Sequence, residues 1–322
     1  MRDVVVIGGG LSGLSAAYEL EKQGVRYTII EVKPRFGGGI LSAQENGFTL
    51  DGGTFATQNT GDWSILNDLG MDEALIPLQE GDVAFKQGTE SLIFALSTKL
   101  SGGKLMRMAV SSIGYIEGRF YICMENGMVF DAGAIIVAVP ARYAERMFYS
   151  FVPEISDRLR DFHYDTILRL SLGYHKRDLP TPLINAFLDV IYPFILPTDS
   201  PHRVPDDHLL IQVGVRLSPK AKPEDVAREV IQHFGWGTKP LVQRLHYWET
   251  ADPLSCYDDE HHANMQAIKQ LLPDGIALIG NDYSEVHPMH KGIARLDDRI
   301  QQGKAAAQQA IQFLKGRTNA RP

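Results

Sequence analysis

The sequence predicts an α/β fold in which a parallel sheet with flanking helices is joined to a smaller, β-rich lobe. Three observations predict it. The chain opens with an apolar strand that runs into Gly8-x-Gly10-x-x-Gly13 and then into a helix. Its end returns to an apolar strand followed by an alanine-rich helix. Between them, about 150–254 alternates short strand-like runs with proline-containing loops.

The opening glycines have the spacing of a dinucleotide-binding turn. Gly8 would allow a tight turn, Gly10 would let the backbone approach a diphosphate, and Gly13 would let the helix pack closely on the strand. Phosphates would then lie at the helix N-terminus, where free N–H groups and the positive end of the dipole attract anions.

The residues that follow agree with this prediction. A helix is expected over 14–23 with Gly24 as its stop, and a second apolar strand over 27–30. Glu31 closes that strand, where an acidic side chain can accept hydrogen bonds from ribose hydroxyls and would repel the extra phosphate of NADP.

Composition narrows the class of protein. The chain has 322 residues, 44% hydrophobic and 22% charged, which is enough to bury a full core in two lobes or domains. A net charge of −7 and the lack of a basic run argue against a nucleic-acid partner. Because the first strand begins at residue 3 and no apolar run is long enough for a bilayer, we expect a cytoplasmic protein without a transmembrane segment.

Cysteines and histidines do not form a recognisable framework. Cys123 and Cys256 are far apart and lack CxxC spacing, which predicts neither a disulfide nor a metal site. His261-His262 and the pair His287 and His290 have no completing carboxylate at a recognisable spacing, so no metal is predicted.

Glycine-rich loops and helices follow the first unit. The stretches 31–39 and 51–54 contain too much glycine for an element interior and are predicted to be loops close to a ligand. A helix is predicted over 63–69, and another after Gln87 with Thr89 as its N-cap.

Further elements are predicted from alternation and turn residues. A meander over 110–116, 120–125 and 128–130 precedes a separate buried strand over 134–140 and a helix over 141–147. The remaining predicted elements are strands at 167–174, 209–215, 242–248 and 276–279, and helices at 223–234 and 297–314.

These motifs together resemble the FAD-dependent amine oxidase and protoporphyrinogen oxidase superfamily. Gly8 to Gly13 with Glu31 is similar to its ADP-binding fingerprint, and Glu31-x-x-x-Arg35-x-Gly37-Gly38 to its second glycine motif. Asp51-x-Gly53 resembles the segment beside the flavin, Val110 the strand against the adenine, and Gly280-Asn281-Asp282 with 296–303 the closing motif. The length is similar to that of renalase-like members.

The resemblance implies a Rossmann-like FAD-binding domain of the GR2 type with a reduced, β-rich substrate domain. The first would comprise 1–70, 104–149 and 270–322, and the second 71–103 and 150–269. Noncovalent FAD is expected, because Cys256 lies outside the closing motif. The implied cofactor-binding residues are Gly8, Gly10, Leu11, Ser12, Gly13, Glu31, Val32, Arg35, Gly38, Gly39, Gly53, Thr54, Phe55, Ala56, Val110, Gly280, Asn281, Asp282, Ala294, Arg295 and Leu296.

Two residues are candidates for the substrate side. Trp248 and Tyr257 flank a segment that the resemblance places opposite the flavin, where they would form an aromatic wall or simply close the core of the β-rich lobe. Arg35 would lie near the diphosphate or be a solvated loop residue. The helix that begins at 294–297 would direct N–H groups at the flavin.

The sequence departs from the superfamily in two places. Gly39 stands where an Arg commonly follows the paired glycines, and only 71–87 remains of the usual helical substrate lobe. The main hypothesis is an oxidoreductase that takes a hydride from a CH–NH or CH–CH bond of a small apolar or aromatic substrate, with O2 or another acceptor. The alternatives are a flavin-holding or hydrophobic-ligand-binding protein without turnover, and an NAD-linked dehydrogenase.

Overall fold

The computed structural model describes residues 2–59, 61–78, 81–179, 194–218, 220–235, 238–253, 259–284, 289–290 and 293–319. The strands are β1 (Arg2–Ile7), β2 (Tyr27–Glu31), β3 (Ser42–Glu45), β4 (Phe48–Asp51), β5 (Thr57–Gln58), β6 (Leu75–Pro77), β7 (Asp82–Phe85), β8 (Gly103–Met106), β9 (Val110–Ile116), β10 (Arg119–Met124), β11 (Val129–Val137), β12 (Tyr164–His175), β13 (Phe194–Thr198), β14 (His208–Arg216), β15 (Val242–Pro253), β16 (Ile276–Leu278), β17 (Met289–His290) and β18 (Ile293–Ala294).

The helices are α1 (Leu11–Lys22), α2 (Ser64–Leu69), α3 (Glu90–Lys99), α4 (Ala141–Phe148), α5 (Pro153–Arg160), α6 (Pro223–Gly235), α7 (Asp259–Leu271) and α8 (Leu296–Asn319). Among the described residues, no helix is both long enough and apolar enough to cross a membrane.

The main sheet has the order β8-β2-β1-β11-β10-β9. Strands β8, β2, β1 and β11 are parallel, and β16 adds a further parallel strand beside the end of β11. The sheet has a hydrophobic cluster on either side: α1, α3 and α8 contribute to one, and α4, α5 and α7 to the other. Two covered faces explain why β1 is a continuous apolar run rather than an alternating one.

The predicted α/β fold class is confirmed, and the differences lie in local details. β11 is one strand from Val129 to Val137, where the sequence predicted two, because its first half pairs with β10 and its second half with β16. Helices α5 and α7 were not predicted. They are short amphipathic segments whose buried face only the tertiary packing reveals.

A second, antiparallel sheet has the order β13-β14-β12-β15. On one face, alternate residues of β12 such as Leu170 and Leu172 form a core with Val230 of α6. Because side chains alternate across a strand, Arg169, Ser171 and Gly173 occupy the opposite face. That face lies against the segment from Phe48 to Phe55.

Two smaller sheets complete the fold. β3 and β4 form a hairpin, and a five-stranded sheet has the order β17-β18-β5-β7-β6. Helix α3 falls within 71–103, which the sequence assigned to the substrate domain, yet its Leu92 and Leu96 pack in the core of the main sheet beside α1. The proposed division into domains stays a prediction.

Candidate functional site

The first glycine turn connects β1 to α1 with backbone groups in close contact. Gly8 has φ +104°, and a Cβ there or at Gly13 would come within 3.0 Å of backbone atoms, at Ala138 and Gly8 respectively. No other residue fits these two positions without moving the backbone. The tight turn and the close helix–strand packing expected of these glycines are therefore present.

Gly10 differs from Gly8, Gly9 and Gly13 because a side chain at this position would not overlap any described neighbour. It is the N-cap of α1 with φ −73°, no side chain caps the helix, and the first turn has no acidic residue. A Cβ on Gly10 would meet no atom of the described residues within 4 Å. The N-terminal amides of α1, at Leu11, Ser12 and Gly13, are thus positioned as an anion site that an approaching phosphate can reach.

Glu31 ties the turn to the end of β2. Its Oε2 accepts from the Gly9 N–H at 2.7 Å and its Oε1 from the Lys33 N–H at 2.7 Å, and its side chain is buried. The Glu31 carbonyl accepts from the Met108 N–H at 3.0 Å. Val110, two residues further along the chain, is buried, whereas the Val32 side chain is exposed. The predicted contact of Glu31 with a ribose would use the remaining lone pairs of a carboxylate that is already fixed in place.

Arg35 has a role that neither interpretation of the sequence included. Its guanidinium donates to the carbonyl oxygens of Phe36, Gly38 and Ile40, each at 2.9 Å. These bonds fix the shape of the second glycine loop, residues 35–40, and the Gly37 N–H joins this loop to the first turn by donating to the Gly9 carbonyl. A Cβ on Gly39 would likewise meet nothing within 4 Å in the part of the chain that the structure describes.

The third glycine segment, residues 52–57, follows β4 and contacts the second glycine loop. A Cβ on Gly53 would overlap the Gly39 carbonyl, which explains why a glycine is needed there. Thr54, Phe55 and Ala56 follow it and are buried. Thr89 is the N-cap residue of α3, as predicted, but its Oγ1 donates to the Thr54 carbonyl at 2.9 Å and makes no capping hydrogen bond to the helix.

The chain end returns to this third segment. Ala294 pairs in parallel with Thr57, and the Leu296 N–H donates to Thr57 Oγ1 at 3.2 Å. Arg295 lies 3.7 Å from Asp297, and burial raises the pKa of Asp297. The start of α8 therefore lies next to Thr57, at the end of the third glycine segment.

The closing motif divides its contacts between α4 and α8. The Gly280 N–H donates to Gln302, and Asn281 Oδ1 accepts from Arg299 at 2.7 Å. Asp282 accepts from the Ala141 N–H at 2.8 Å and from the Tyr164 hydroxyl. The Asp282 carboxylate thus stabilises the start of α4; any contact of this motif with a cofactor stays a prediction.

A buried ion pair lies at Asp51, directly before the third glycine segment. Arg203 donates to Asp51 at 2.5 Å and to the Thr49 and Phe85 carbonyls, and the two charged side chains are 1% and 0% exposed. The other Asp51 oxygen, Oδ1, accepts from Ser42 and from the Thr89 N–H. Sequence analysis missed Arg203, since no spacing relates it to Asp51.

The second sheet supplies the other wall of the site. Trp248 Nε1 donates to the Gly52 carbonyl at 2.8 Å, and the His246 ring packs directly on Gly52. Arg169 pairs in register with His246, and its guanidinium lies 5.4 Å from the Phe55 ring centroid. Tyr257, the other aromatic candidate, lies outside the described residues.

Arg169 and His246 were not predicted as site residues. The sequence signal for them is weak. Each is a polar residue within a strand, and in β12 apolar residues occupy the alternate positions on either side of Arg169. No group of three or more His, Cys, Asp and Glu side chains that could hold a metal was found in the described part of the chain.

Comparison of the sequence with known proteins shows which class of domain the N-terminal part of the chain resembles. A family model described as an NAD(P)-binding Rossmann-like domain matches residues 6–69. Protoporphyrinogen oxidase 2 of Arabidopsis thaliana is 42% identical over 74 residues, which are 22% of this chain and 14% of that protein. Flavin-containing amine oxidase A of Sus scrofa is 37% identical over 92 residues, 27% of this chain and 17% of that one. The matches thus span less than a fifth of either relative.

Solved structures extend the likeness of fold to the whole chain. A protein of Exiguobacterium sp. 255-15, provisionally named protoporphyrinogen oxidase, has a TM-score of 0.77 at 14% identity and covers 98% of this chain and 99% of its own. Putrescine oxidase bound to putrescine has a TM-score of 0.71 at 13% identity, with coverage of 97% and 99%. The resemblance to the FAD-dependent amine oxidase and protoporphyrinogen oxidase superfamily is confirmed.

Proposed function

We propose that this chain binds FAD noncovalently and oxidises a CH–NH or CH–CH bond of a small apolar or aromatic substrate, with O2 or another acceptor taking the electrons. The sequence relatives, which include flavin-containing oxidases, support an FAD-dependent oxidoreductase in general. The likeness of fold to putrescine oxidase is in line with it.

One observation carries the proposal: four separate segments contact one another in succession. The α1 turn contacts the second glycine loop through Gly9 and Gly37, that loop contacts the third segment through Gly39 and Gly53, and Thr57 at the end of that segment pairs with the start of α8. The absence of described atoms within 4 Å of a Cβ at Gly10 or Gly39 supports a dinucleotide whose diphosphate lies on the α1 N-terminus.

The chain's residues would then bind and orient rather than act as acid or base. When bound, FAD supplies a hydride acceptor at N5 of its ring. The α1 amides would hold the diphosphate, Glu31 would orient the ribose, and 53–56 together with the start of α8 would flank the ring. The polar face of the second sheet, through Arg169 and His246, would line the substrate side.

The first experiment is a visible absorption spectrum of the purified protein with chromatographic identification of the cofactor released on denaturation. FAD in a ratio near one per chain is expected. An anaerobic screen of amines, porphyrinogens and reduced nicotinamides then follows bleaching of the bound flavin. FAD that no compound reduces would favour the flavin-holding alternative.

A nicotinamide cofactor is the second candidate, because the matched family model is described as NAD(P)-binding. The opening turn serves either dinucleotide. The pairing of Ala294 with Thr57 favours FAD, since the first βαβ unit alone suffices to hold an ADP group. A colourless protein that takes up NAD and no FAD would replace the proposal with this candidate.

A further inference from the structure

Two histidines stand opposite each other at one end of the second sheet. His175 is the last residue of β12 and pairs in register with His208, the first residue of β14. Their ring centroids are 3.9 Å apart, the ring planes are inclined by 36°, and both residues are half-buried. Because a strand rises about 3.4 Å per residue, the pair lies about 20 Å along β12 from Arg169. It therefore does not belong to the candidate dinucleotide site.

The turn before β14 fixes the position of one proton on His208. The backbone N–H of His208 donates to the Pro205 carbonyl at 3.2 Å, and Asp207 turns the chain with φ +58°. The Nδ1 atom of His208 lies 2.6 Å from the Asp206 carbonyl oxygen. Since a carbonyl oxygen can only accept, Nδ1 carries the proton, and the neutral ring presents a lone pair at Nε2. Histidines that bind metal ions are typically oriented in this way.

The charges around the pair favour a cation. Asp206 and Asp207 are exposed, and neither carboxylate has an ion-pair partner in the part of the chain that the structure describes. The cations that follow His175 are Lys176 and Arg177, and they lie 2.8 and 3.7 Å from carboxylates of their own. The two turn aspartates thus leave an excess of negative charge beside the rings.

We propose that His175 and His208 together bind a divalent transition-metal ion, with one nitrogen from each ring and water in the other positions. Opposite residues of an antiparallel pair have Cβ atoms about 4.5–5.5 Å apart, which lets two half-buried rings rotate until each directs a nitrogen at one ion. Imidazole suits Cu²⁺, Ni²⁺ and Zn²⁺, whereas Mg²⁺ prefers oxygen ligands. Among the described residues no group of three such side chains forms, so the ion has two protein ligands and is exchangeable.

The bound ion joins two parts of the fold. The Phe48 ring packs edge-on against His208 at 5.6 Å and also contacts Gly173 of β12. An ion held by both histidines therefore connects the end of β12 to the turn before β14, beside the small core that contains Phe48. Because the two ligands are neighbours only in the folded chain, binding stabilises the protein.

The test is a calorimetric titration of the full chain, prepared without a histidine tag and freed of metal by EDTA that is then removed. ZnCl₂ is the probe and MgCl₂ its control. We expect saturable binding of Zn²⁺, no binding of Mg²⁺ at the same concentrations, and a higher melting temperature with Zn²⁺ that EDTA reverses. Since the chain has 10 histidines, variants decide which of them bind the ion.

His175→Gln and His208→Gln are each expected to weaken Zn²⁺ binding at least roughly tenfold and to remove the rise in melting temperature, because losing even an outer-shell partner of a metal costs about that much. The double variant is expected to bind no more weakly than either single one, since one ligand alone forms no site. His202→Gln is the matched control, because it removes an exposed histidine of the same loop that is not part of the pair. It is expected to leave binding unchanged.

The absence of Zn²⁺ binding would overturn the inference, as would affinity that is unchanged in both variants of the pair or lowered equally by His202→Gln. Mg²⁺ binding as tight as that of Zn²⁺ would also overturn it. His175→Gln, at the end of a strand, keeps the test valid if His208→Gln disturbs the turn. Each titration has the same expected result with and without FAD, so the proposed function and the metal site are tested separately.

Discussion

Replacing Gly10 by Ala separates the folding of this chain from its binding of a dinucleotide. The φ of −73° at Gly10 is one that alanine adopts freely, and the added methyl would have no described residue within 4 Å. The methyl would instead occupy the space through which a diphosphate approaches the N-terminus of α1. We therefore expect a protein that folds normally and binds FAD poorly.

The two effects differ in size. Alanine is a poorer N-cap than glycine but restricts the unfolded chain, so these opposing terms keep the change in unfolding free energy within about 1 kcal/mol. A diphosphate displaced by a methyl group loses one or more charge-assisted hydrogen bonds to the α1 amides, worth about 1.5–3 kcal/mol each. FAD affinity is thus expected to fall roughly ten- to 150-fold.

The assay measures both quantities on the same deflavinated preparations. Urea denaturation gives the unfolding free energy, and quenching of flavin fluorescence gives the dissociation constant of FAD. Gly114→Ala is the matched control, because its methyl also meets no described atom within 4 Å, whereas Gly114 lies on β9, away from the α1 turn. Gly13→Ala, which would overlap the Gly8 carbonyl, is expected to destabilise the fold itself. Wild-type FAD affinity in Gly10→Ala would refute the placement of the diphosphate.

Three further predictions concern buried polar groups. Arg203→Met leaves Asp51 charged and without its buried cation, so we expect a loss of about 3–5 kcal/mol in urea denaturation; a loss below about 1 kcal/mol would show that the pair is not needed. Tyr174→Phe removes a buried hydroxyl without a hydrogen-bond partner among the described residues and is expected to stabilise the protein by about 1 kcal/mol, whereas a lower melting temperature would contradict this. Burial raises the pKa of Asp297 in the folded protein, so its ionisation costs stability as pH rises above the ordinary carboxyl range. Asp297→Asn removes this ionisation, so its unfolding free energy relative to wild type should increase with pH over that range in a series of urea denaturations. A pH-independent difference would count against it.

Much of the fold could be predicted because its signals are local. The strand, the glycines and the helix of residues 3–22 carry their own turn chemistry, and the structure has α1 at Leu11–Lys22. The helix predicted over 63–69 is present as α2, and it ends at Gly70 in a left-handed conformation that glycine adopts without strain. Thr89 shows the limit of such rules, because its hydroxyl donates to the Thr54 carbonyl, 35 positions away, and makes no hydrogen bond to the N-terminus of α3.

The sequence by itself determined the dinucleotide-binding turn, the class of fold and the order of the segments that meet at the candidate site, because each depends on residues close together in the chain. Only the tertiary structure decided which side chains face that site. Arg169 and His246 are 77 positions apart and become neighbours through strand pairing, and Arg203 reaches Asp51 across 152 positions. Strand register and burial set these contacts, and both depend on the whole fold rather than on local spacing.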